Sequence, residues 1–154
     1  MNEYGARTIR KTFKYKLKPT PEQEQAMAFV LRRCRELYNA ALQERKEARH
    51  KCGVSITVGQ QSAQLPAIKE VRPEYRDIHS QVLQDVLTRL DRAFQRFFAR
   101  VKSGEKLGYP RFQGANRYHS FTYKQFGNTP DLGQNEEAVI EACATMLAHL
   151  GIGE

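Results

Sequence analysis

The sequence predicts a mainly helical α+β fold, and two patterns of apolar residues are the reason. Apolar side chains recur every three or four residues from Met27 to Leu42 and from Leu83 to Val101, which is the spacing of an amphipathic helix. They alternate with polar ones over residues 13–18 and 118–126, which is typical of strands. With 154 residues, of which 40% are hydrophobic, the chain is long enough for one domain of ordinary size.

Charge divides the chain into two parts. The 25 Lys and Arg residues all lie at or before Lys124, whereas five of the 17 acidic residues follow Asn128. The first part therefore carries +13 and the second −5, and the total is +8. We expect a polyanionic partner for the first part and a domain boundary near Thr129-Pro130.

Several other classes of protein are disfavoured. The chain has no apolar run of the length that a signal peptide or a membrane span requires, so we expect a cytoplasmic, nucleoid-associated protein without a membrane partner. Its three cysteines are odd in number and lack Cys-x-x-Cys spacing, which speaks against a disulfide framework or a zinc ribbon. No catalytic triad motif or Gly-rich phosphate loop is present. We therefore expect no enzymatic activity, metal or cofactor, and the sequence leaves the oligomeric state open.

The first element is a predicted strand that leads into a long helix. Phe13, Tyr15 and Leu17 alternate with the candidate nucleic-acid contacts Lys14, Lys16 and Lys18. An edge strand whose lysines only oppose aggregation is the alternative. Thr20-Pro21-Glu22-Gln23 then has the residues of a capping box, and Gly53 is a natural stop. The apolar stripe between them predicts one helix, or two if it breaks in the middle.

Two further helical regions follow. We expect a short helix over residues 58–65, with Pro66 interrupting it before residues 67–71 continue. The clearest helix of the sequence begins at Ser80, and its apolar face is predicted to be core through Val101. The three Phe residues on that face are expected to pack rather than to stack on bases.

The polar face of this last helix carries the strongest functional signal. Arg89, Arg92, Arg96 and Arg100 are spaced by three, four and four residues, so their guanidinium groups follow one ridge of the helix at about 5 to 6 Å per step. Such a ridge is suited to a phosphate backbone, and arginine binds phosphate through two parallel hydrogen bonds. A solvated face on which Asp85 and Asp91 pair with the arginines is the alternative.

After this helix the chain turns into a basic loop and a second predicted strand. Lys106 and Arg111 lie in a Gly-punctuated loop with interleaved aromatic residues, where stacking on bases is possible. Residues 118–126 alternate again, with Ser120, Thr122 and Lys124 on one side. This strand is a plausible partner for residues 8–18.

In order and spacing, these segments resemble a known family, the N-terminal part of the OrfB/TnpB proteins of insertion sequences. The matching pieces are Lys16-Leu17-Lys18-Pro19-Thr20, Tyr38-Asn39 with Leu42, Leu65-Pro66 with Lys69, Gln81-Val82-Leu83-Gln84-Asp85, Ala93-Phe94 with Phe97-Phe98, Tyr109-Pro110-Arg111-Phe112 and Ser120-Phe121-Thr122-Tyr123. No single piece is diagnostic, and the specificity comes from their succession over residues 10–127.

The resemblance implies a fold and a function. Members of the family look like compact relatives of type V CRISPR effectors, which are RNA-guided DNA nucleases. Residues 1–19 and 107–128 would then form strands of a partial wedge barrel, of the oligonucleotide-binding type, and residues 20–106 a helical recognition domain inserted between them. The region is also described as a helix-turn-helix transposase domain. DNA and guide RNA are the implied partners, and the implied readers of DNA sequence are Ser62, Ser80, Gln81, Gln84, Ser120 and Thr122.

The chain departs from the family pattern after Asn128. Relatives continue with further strands and with a nuclease domain that has metal-binding carboxylates and a four-cysteine zinc element. Residues 129–154 instead predict an acidic helical tail of divergent origin, as a truncation, a frameshift or a fusion would produce. We therefore expect a nucleic-acid-binding fragment that does not cleave by itself. A non-cleaving DNA-binding repressor, or a decayed transposase product that supplies part of a nuclease, is the alternative.

Overall fold

A computed structural model describes Thr12, residues 14–106 and residues 108–124 of the chain. Helices dominate this part: α1 (Pro21–Cys52), α2 (Val58–Ala63), α3 (Leu65–Val71), a 3-10 helix (Pro73–Asp77) and α4 (Ser80–Ser103). The mainly helical prediction is confirmed. The predicted acidic tail, residues 129–154, lies outside the described residues.

Helix α1 is continuous over 32 residues. The Thr20 side chain accepts a hydrogen bond from the Gln23 amide, the Gln23 side chain accepts one from the Thr20 amide, and Gly53 ends the helix with φ 65°. The predicted capping box and stop are thus confirmed. The chain has no Gly or Pro between Pro21 and Gly53, so nothing in the local sequence interrupts the helix, and the alternative of two helices is wrong.

The middle of the chain forms the two short helices that were expected, with a different junction between them. Helix α2 ends at Ala63, and Pro66 lies in the first turn of α3 rather than between two helices. Proline is favoured at that position because its missing amide would have no partner inside the helix.

The core lies between α1 and α4 and is closed by the segments that flank them. Both long helices contribute their apolar stripes, and Leu65, Tyr75, Ile78 and Tyr118 complete the cluster. The buried residues of the two stripes are Val30, Cys34, Leu37, Tyr38, Ala41, Leu42, Val82, Leu83, Val86, Leu87, Leu90 and Phe94. Burial of apolar area on this scale is the main term that stabilises a helical domain.

The last turns of α4 differ from the prediction. Phe98 is 55% exposed and Val101 47% exposed, so the core ends at about Phe94. Periodicity shows which face of a helix is apolar, but it does not show how far the partner element reaches along that face. The prediction that the apolar face is core through Val101 is therefore wrong for these two residues.

The segment that follows α4 contacts α1 at Asn39 and at Tyr38. The Asn39 amide nitrogen donates to the Gln113 carbonyl at 3.0 Å, and the Gln113 backbone N–H donates to the Asn39 side-chain oxygen at 2.8 Å. The neighbouring Tyr38 ring packs against Tyr118, with 6.1 Å between their centroids. These two contacts give the Tyr38-Asn39 pair a structural role.

No strand occurs among the described residues, and the predicted wedge barrel stays a prediction. Residues 14–18 are exposed, and residues 118–124 have neither helical nor strand structure. Phe121 and Tyr123 nevertheless pack against the core, as their alternation with polar residues suggested. This segment is held by side-chain hydrogen bonds to α4 rather than by pairing with a neighbouring strand.

Candidate nucleic-acid interface

Three of the four predicted arginines of α4 form an open basic ridge. Arg92, Arg96 and Arg100 are exposed, and none of them makes a side-chain hydrogen bond or ion pair with any residue of the described part. They succeed one another at intervals of four residues, so the ridge extends about 12 Å along the helix at 1.5 Å per residue. Asp91 pairs with Arg45 at 3.1 Å and not with Arg92. We call Arg92, Arg96 and Arg100 the arginine ridge.

Arg89 has a different position, because its guanidinium is bound within the protein. Its Nε donates to Asp85 Oδ2 at 2.7 Å, and its Nη1 donates to the Ser120 carbonyl at 2.7 Å and to Ser120 Oγ at 3.1 Å. Its Nη2 donates to Thr122 Oγ1 at 2.8 Å, and the group lies 5.6 Å from the centre of the Tyr118 ring. Arg89 thus holds residues 118–122 against α4.

Asp85 supplies the negative charge at the centre of this arrangement. It is 5% exposed, it accepts from Arg89, and Lys124 Nζ lies 3.8 Å from its other oxygen. Lys124 also donates to Thr88 Oγ1 at 2.7 Å. A buried carboxylate is costly unless it is paired, so Asp85 requires these cations. For Arg89 the structure thus shows the alternative, a salt-bridged face, and not the predicted open position.

Burial also controls the acid–base behaviour of the groups beside Asp85. It raises the pKa of the Cys34 thiol to about 12, an effect that the Arg89 charge only partly offsets. It likewise raises the pKa of the Tyr118 hydroxyl. Both groups remain protonated at neutral pH, and Cys34 is a core residue, as expected.

The predicted readers of DNA sequence lie on α2, on α4 and in the segment of residues 118–124. Ser120 and Thr122 accept from Arg89, and Ser80 Oγ accepts from Lys69 Nζ at 2.9 Å. Gln84 is exposed on the second turn of α4, and Ser62 is half-buried in α2. Gln81 is half-buried, and its backbone N–H donates to His79 Nδ1 at 3.1 Å, which caps α4. Their role in reading DNA stays a prediction.

The remaining predicted contacts lie on the surface. The basic residues of the lead-in segment and of the loop after α4 are exposed; they are Lys14, Lys16, Lys18, Lys106 and Arg111. They remain candidate phosphate contacts.

A buried polar network between α1, α2 and α4 was not predicted. Arg45 is 9% exposed; its Nε donates to Gln61 at 2.9 Å and its Nη1 to Asp91 at 3.1 Å. The Gln61 amide nitrogen donates in turn to the Ala41 carbonyl at 3.0 Å and to Glu44 at 3.1 Å. The position of Arg45, four residues after Ala41 and three after Leu42 on the apolar stripe, was the only sequence signal.

An aromatic pocket beside this network was also missed. It has a volume of about 350 Å³ and lies where α1, residues 54–56, the end of α4 and Tyr109 meet. Tyr109 contacts Phe94 and Phe97 edge-on, at 5.6 and 5.1 Å between centroids. The run Phe94, Phe97, Phe98 was visible in the sequence, but its spacing predicted packing, and only the structure shows that part of it is open.

The described part of the chain contains neither a cluster of metal ligands nor a helix suited to crossing a membrane. Within it, no three His, Cys, Asp or Glu residues are grouped closely enough to hold a metal ion. None of its helices combines the length and the apolar character that crossing a bilayer demands.

Comparison with known proteins agrees with the resemblance noted in the sequence. Residues 9–53 match the model of an OrfB-type helix-turn-helix domain. Within residues 9–53, the structure describes helix α1 and residues that lead into it, Thr12 and residues 14–20. The chain is also 30% identical over 115 residues to "Putative RNA-guided DNA endonuclease InsQ" of Escherichia coli. The aligned region is 73% of this chain and 27% of that relative, so the chain spans about a quarter of the relative's length. The chain is therefore similar to the N-terminal region of OrfB/TnpB proteins.

Proposed function

We propose that this chain is a nucleic-acid-binding module of a transposon-encoded, RNA-guided DNA nuclease, and that it contacts DNA and guide RNA without cleaving them by itself. The arginine ridge is the observation that carries the proposal. Three guanidinium groups on successive turns without acidic partners in the described residues repel one another unless an anion or solvent compensates them. A phosphate backbone supplies negative charge at a comparable repeat.

The comparisons support this reading. The helix-turn-helix match and the name of the InsQ relative both point to nucleic acid. The net charge of +13 on residues 1–128 is of the sign that such a partner requires. On this proposal the protein acts in the cytoplasm, where transposon DNA and its transcripts are present.

The first experiment measures how affinity depends on salt. The purified chain is titrated into dye-labelled duplex DNA and into structured RNA, and anisotropy is recorded at several salt concentrations. Neutralisation of three phosphates gives a slope of log K against log salt of about −2.7 for duplex DNA. Affinity that does not change with salt would contradict a phosphate-binding ridge.

Charge reversal on the ridge provides the structural test. Arg92→Glu with Arg96→Glu should weaken binding to all sequences and reduce the salt slope by about 2, since each lost phosphate contact removes about 1. Arg32→Glu with Arg35→Glu on α1 is the matched control, because it changes net charge by the same amount at two residues that belong neither to the core nor to an ion pair of the described part. Equal losses for the two pairs would mean that net charge alone, and not the ridge, binds nucleic acid.

The proposed lack of cleavage has its own assay. Supercoiled plasmid and labelled RNA are incubated with the chain and Mg²⁺, and nicked or shortened products are sought on a gel. We expect intact substrates, in keeping with an alignment that reaches only 27% of the endonuclease relative. Cleavage by the chain that survives further purification and is absent from a mock preparation would refute this part of the proposal.

The non-cleaving repressor is distinguished by a different readout. A repressor requires a preferred duplex sequence, whereas a module of a guided nuclease depends on RNA for its choice of DNA. Selection of bound duplexes from a random library in the absence of RNA should therefore yield no strong consensus. A strong consensus would favour the repressor.

A further inference from the structure

One wall of the aromatic pocket includes aromatic rings that are exposed to solvent and lie outside the hydrophobic core. Its lining consists of Val54, Ser55 and Ile56, the α4 residues Phe94, Phe97 and Phe98, and Tyr109, Arg45 and Arg49. Phe98 is 55% exposed and Tyr109 41% exposed, although large aromatic side chains on a small domain are usually covered. The volume of about 350 Å³ lies within the range of pockets that hold small planar ligands.

The rings are fixed by one another. Phe97 and Phe98 lie 5.3 Å apart and are tilted by 58°, and Tyr109 contacts Phe97 edge-on at 5.1 Å. Phe94 is buried and lies 6.3 Å from Phe98. A wall that is already ordered loses little side-chain entropy when a flat ligand stacks on it.

Cations line the same pocket, and no acidic residue of the described part does. Arg45 lies with its Cζ 5.2 Å from the centre of the Phe94 ring, and its Nη2 is buried without an acceptor among the described residues. Arg49 is exposed, and its Nη1 donates only to the Gly53 carbonyl at 3.2 Å. Next to the pocket, Lys46 Nζ lies over the rings of Tyr109 and Phe112, at 5.7 and 4.9 Å. Positive charge that lines and flanks the pocket favours an occupant with a negative group, which an aliphatic molecule does not offer.

We propose that this pocket takes one unstacked base of a single-stranded nucleic acid. The inference rests on the proposed function and adds a second contact of a different kind. The open Phe98 ring provides a face for stacking, and Arg45, Arg49 and Lys46 provide positive charge for the base and the adjoining phosphate. Apolar surface and flanking cations together match a nucleotide better than an apolar peptide segment, which carries no negative charge.

The test distinguishes binding of the base from binding of the phosphate backbone. Full-length protein is titrated at low salt with dye-labelled oligo(dT) of about twelve nucleotides and with an abasic strand of the same length and charge. We expect the wild type to prefer oligo(dT) by about five- to a hundredfold, which corresponds to stacking of one base. A matched oligo(U) shows whether DNA or RNA is the better source of that base.

Two variants locate the preference. Phe98→Ala should abolish it, and Phe98→Leu, which keeps apolar volume and removes the ring, should reduce it. Val101→Ala is the matched control, because Val101 is a similarly exposed apolar residue on the same helix that does not line the pocket. Thermal melting of each variant confirms that it is folded.

The outcomes also separate this inference from the proposed function. Salt-dependent binding of duplex DNA together with equal affinity for the two single strands would overturn the pocket and leave the arginine ridge standing. Unchanged preference in Phe98→Ala, or a loss of the same size in Val101→Ala, would overturn it as well. If Phe98→Ala keeps its affinity but melts at a lower temperature, the ring is covered by protein and not by a base. If no nucleic acid binds, the proposed function fails and the pocket proposal fails with it.

Discussion

Arg45 Nη1 and Asp91 Oδ1 lie 3.1 Å apart, and this pair joins α1 to α4 across 46 residues of chain. The guanidinium is almost fully buried, whereas the carboxylate is partly open to solvent. Because a buried ion pair loses much of its attraction to desolvation, the stability of this junction depends on the other acceptor of Arg45, the side chain of Gln61. Two long helices are thus held in register by a polar network as well as by apolar packing.

Loss of the Gln61 amide should destabilise the protein markedly. Gln61→Ala removes the acceptor of Arg45 Nε and one donor to the Ala41 carbonyl, so the buried Nε loses its partner while the carbonyl keeps only its bond within α1. We expect the free energy of unfolding to fall by about 2 to 4 kcal/mol, measured by urea denaturation. Gln25→Ala, at an exposed position of α1, should change it by less than about 0.5 kcal/mol. If the free energy of unfolding is the same for the two variants, the polar network contributes no stability.

Substitution of Arg89 should lower the stability of the fold, whereas substitution of Arg92 should weaken nucleic-acid binding. Arg89→Ala frees the segment that Ser120 and Thr122 anchor and leaves the carboxylate of Asp85 with the more distant Lys124. We expect a loss of about 1 to 3 kcal/mol in stability, a range that allows for the partial exposure of Arg89. Amide hydrogen exchange over residues 118–124 should become faster. Arg92→Ala should leave both quantities unchanged and weaken nucleic-acid binding; equal exchange in the two variants would contradict this division.

Stability should decline in alkaline solution, and Cys34 should account for part of the decline. Its pKa is raised from the ordinary 9.0 to about 12, because burial disfavours the thiolate in the folded state. A raised pKa means that the stabilising contribution is complete below pH 9 and is lost as pH rises from 9 toward 12. At pH 10 the loss from this group is about 1 kcal/mol. Urea denaturation between pH 7 and pH 10 should show a smaller decline for Cys34→Ala than for the wild type, although that variant begins from a lower stability. Parallel declines would exclude the contribution.

The two cysteines of the described part should differ in reactivity. Cys34 is fully buried and its thiol stays protonated, whereas Cys52 is exposed at the end of α1. The thiolate is the reactive form of cysteine, so iodoacetamide at pH 8 should alkylate Cys52 in minutes and Cys34 only after unfolding. Peptide mass spectrometry distinguishes the two sites, and addition of urea serves as the positive control. Rapid alkylation of Cys34 in the native protein would mean that α1 and α4 separate readily.

The ends of the long helices could be predicted because their signals are local. Thr20 and Gln23 are three residues apart in the chain, and Gly53 needs only its own φ, so neither depends on the rest of the protein. The apolar stripe of α4 was likewise visible, but its exposed end at Phe98 was not. Whether an apolar face is covered depends on where a second element ends, and a one-dimensional pattern contains no such information.

The sequence by itself determined the helical character of this protein, its basic charge and the regular spacing of the α4 arginines, because each of these follows from spacing or composition along the chain. Only the tertiary structure decided which arginines are used internally. Arg89 and Arg92 are three residues apart on one helix and look equivalent in the sequence. One meets Asp85, Ser120 and Thr122, and the other meets no partner in the described residues. The physical reason is that a charge becomes structural or available for binding according to the groups that folding brings to it from distant parts of the chain.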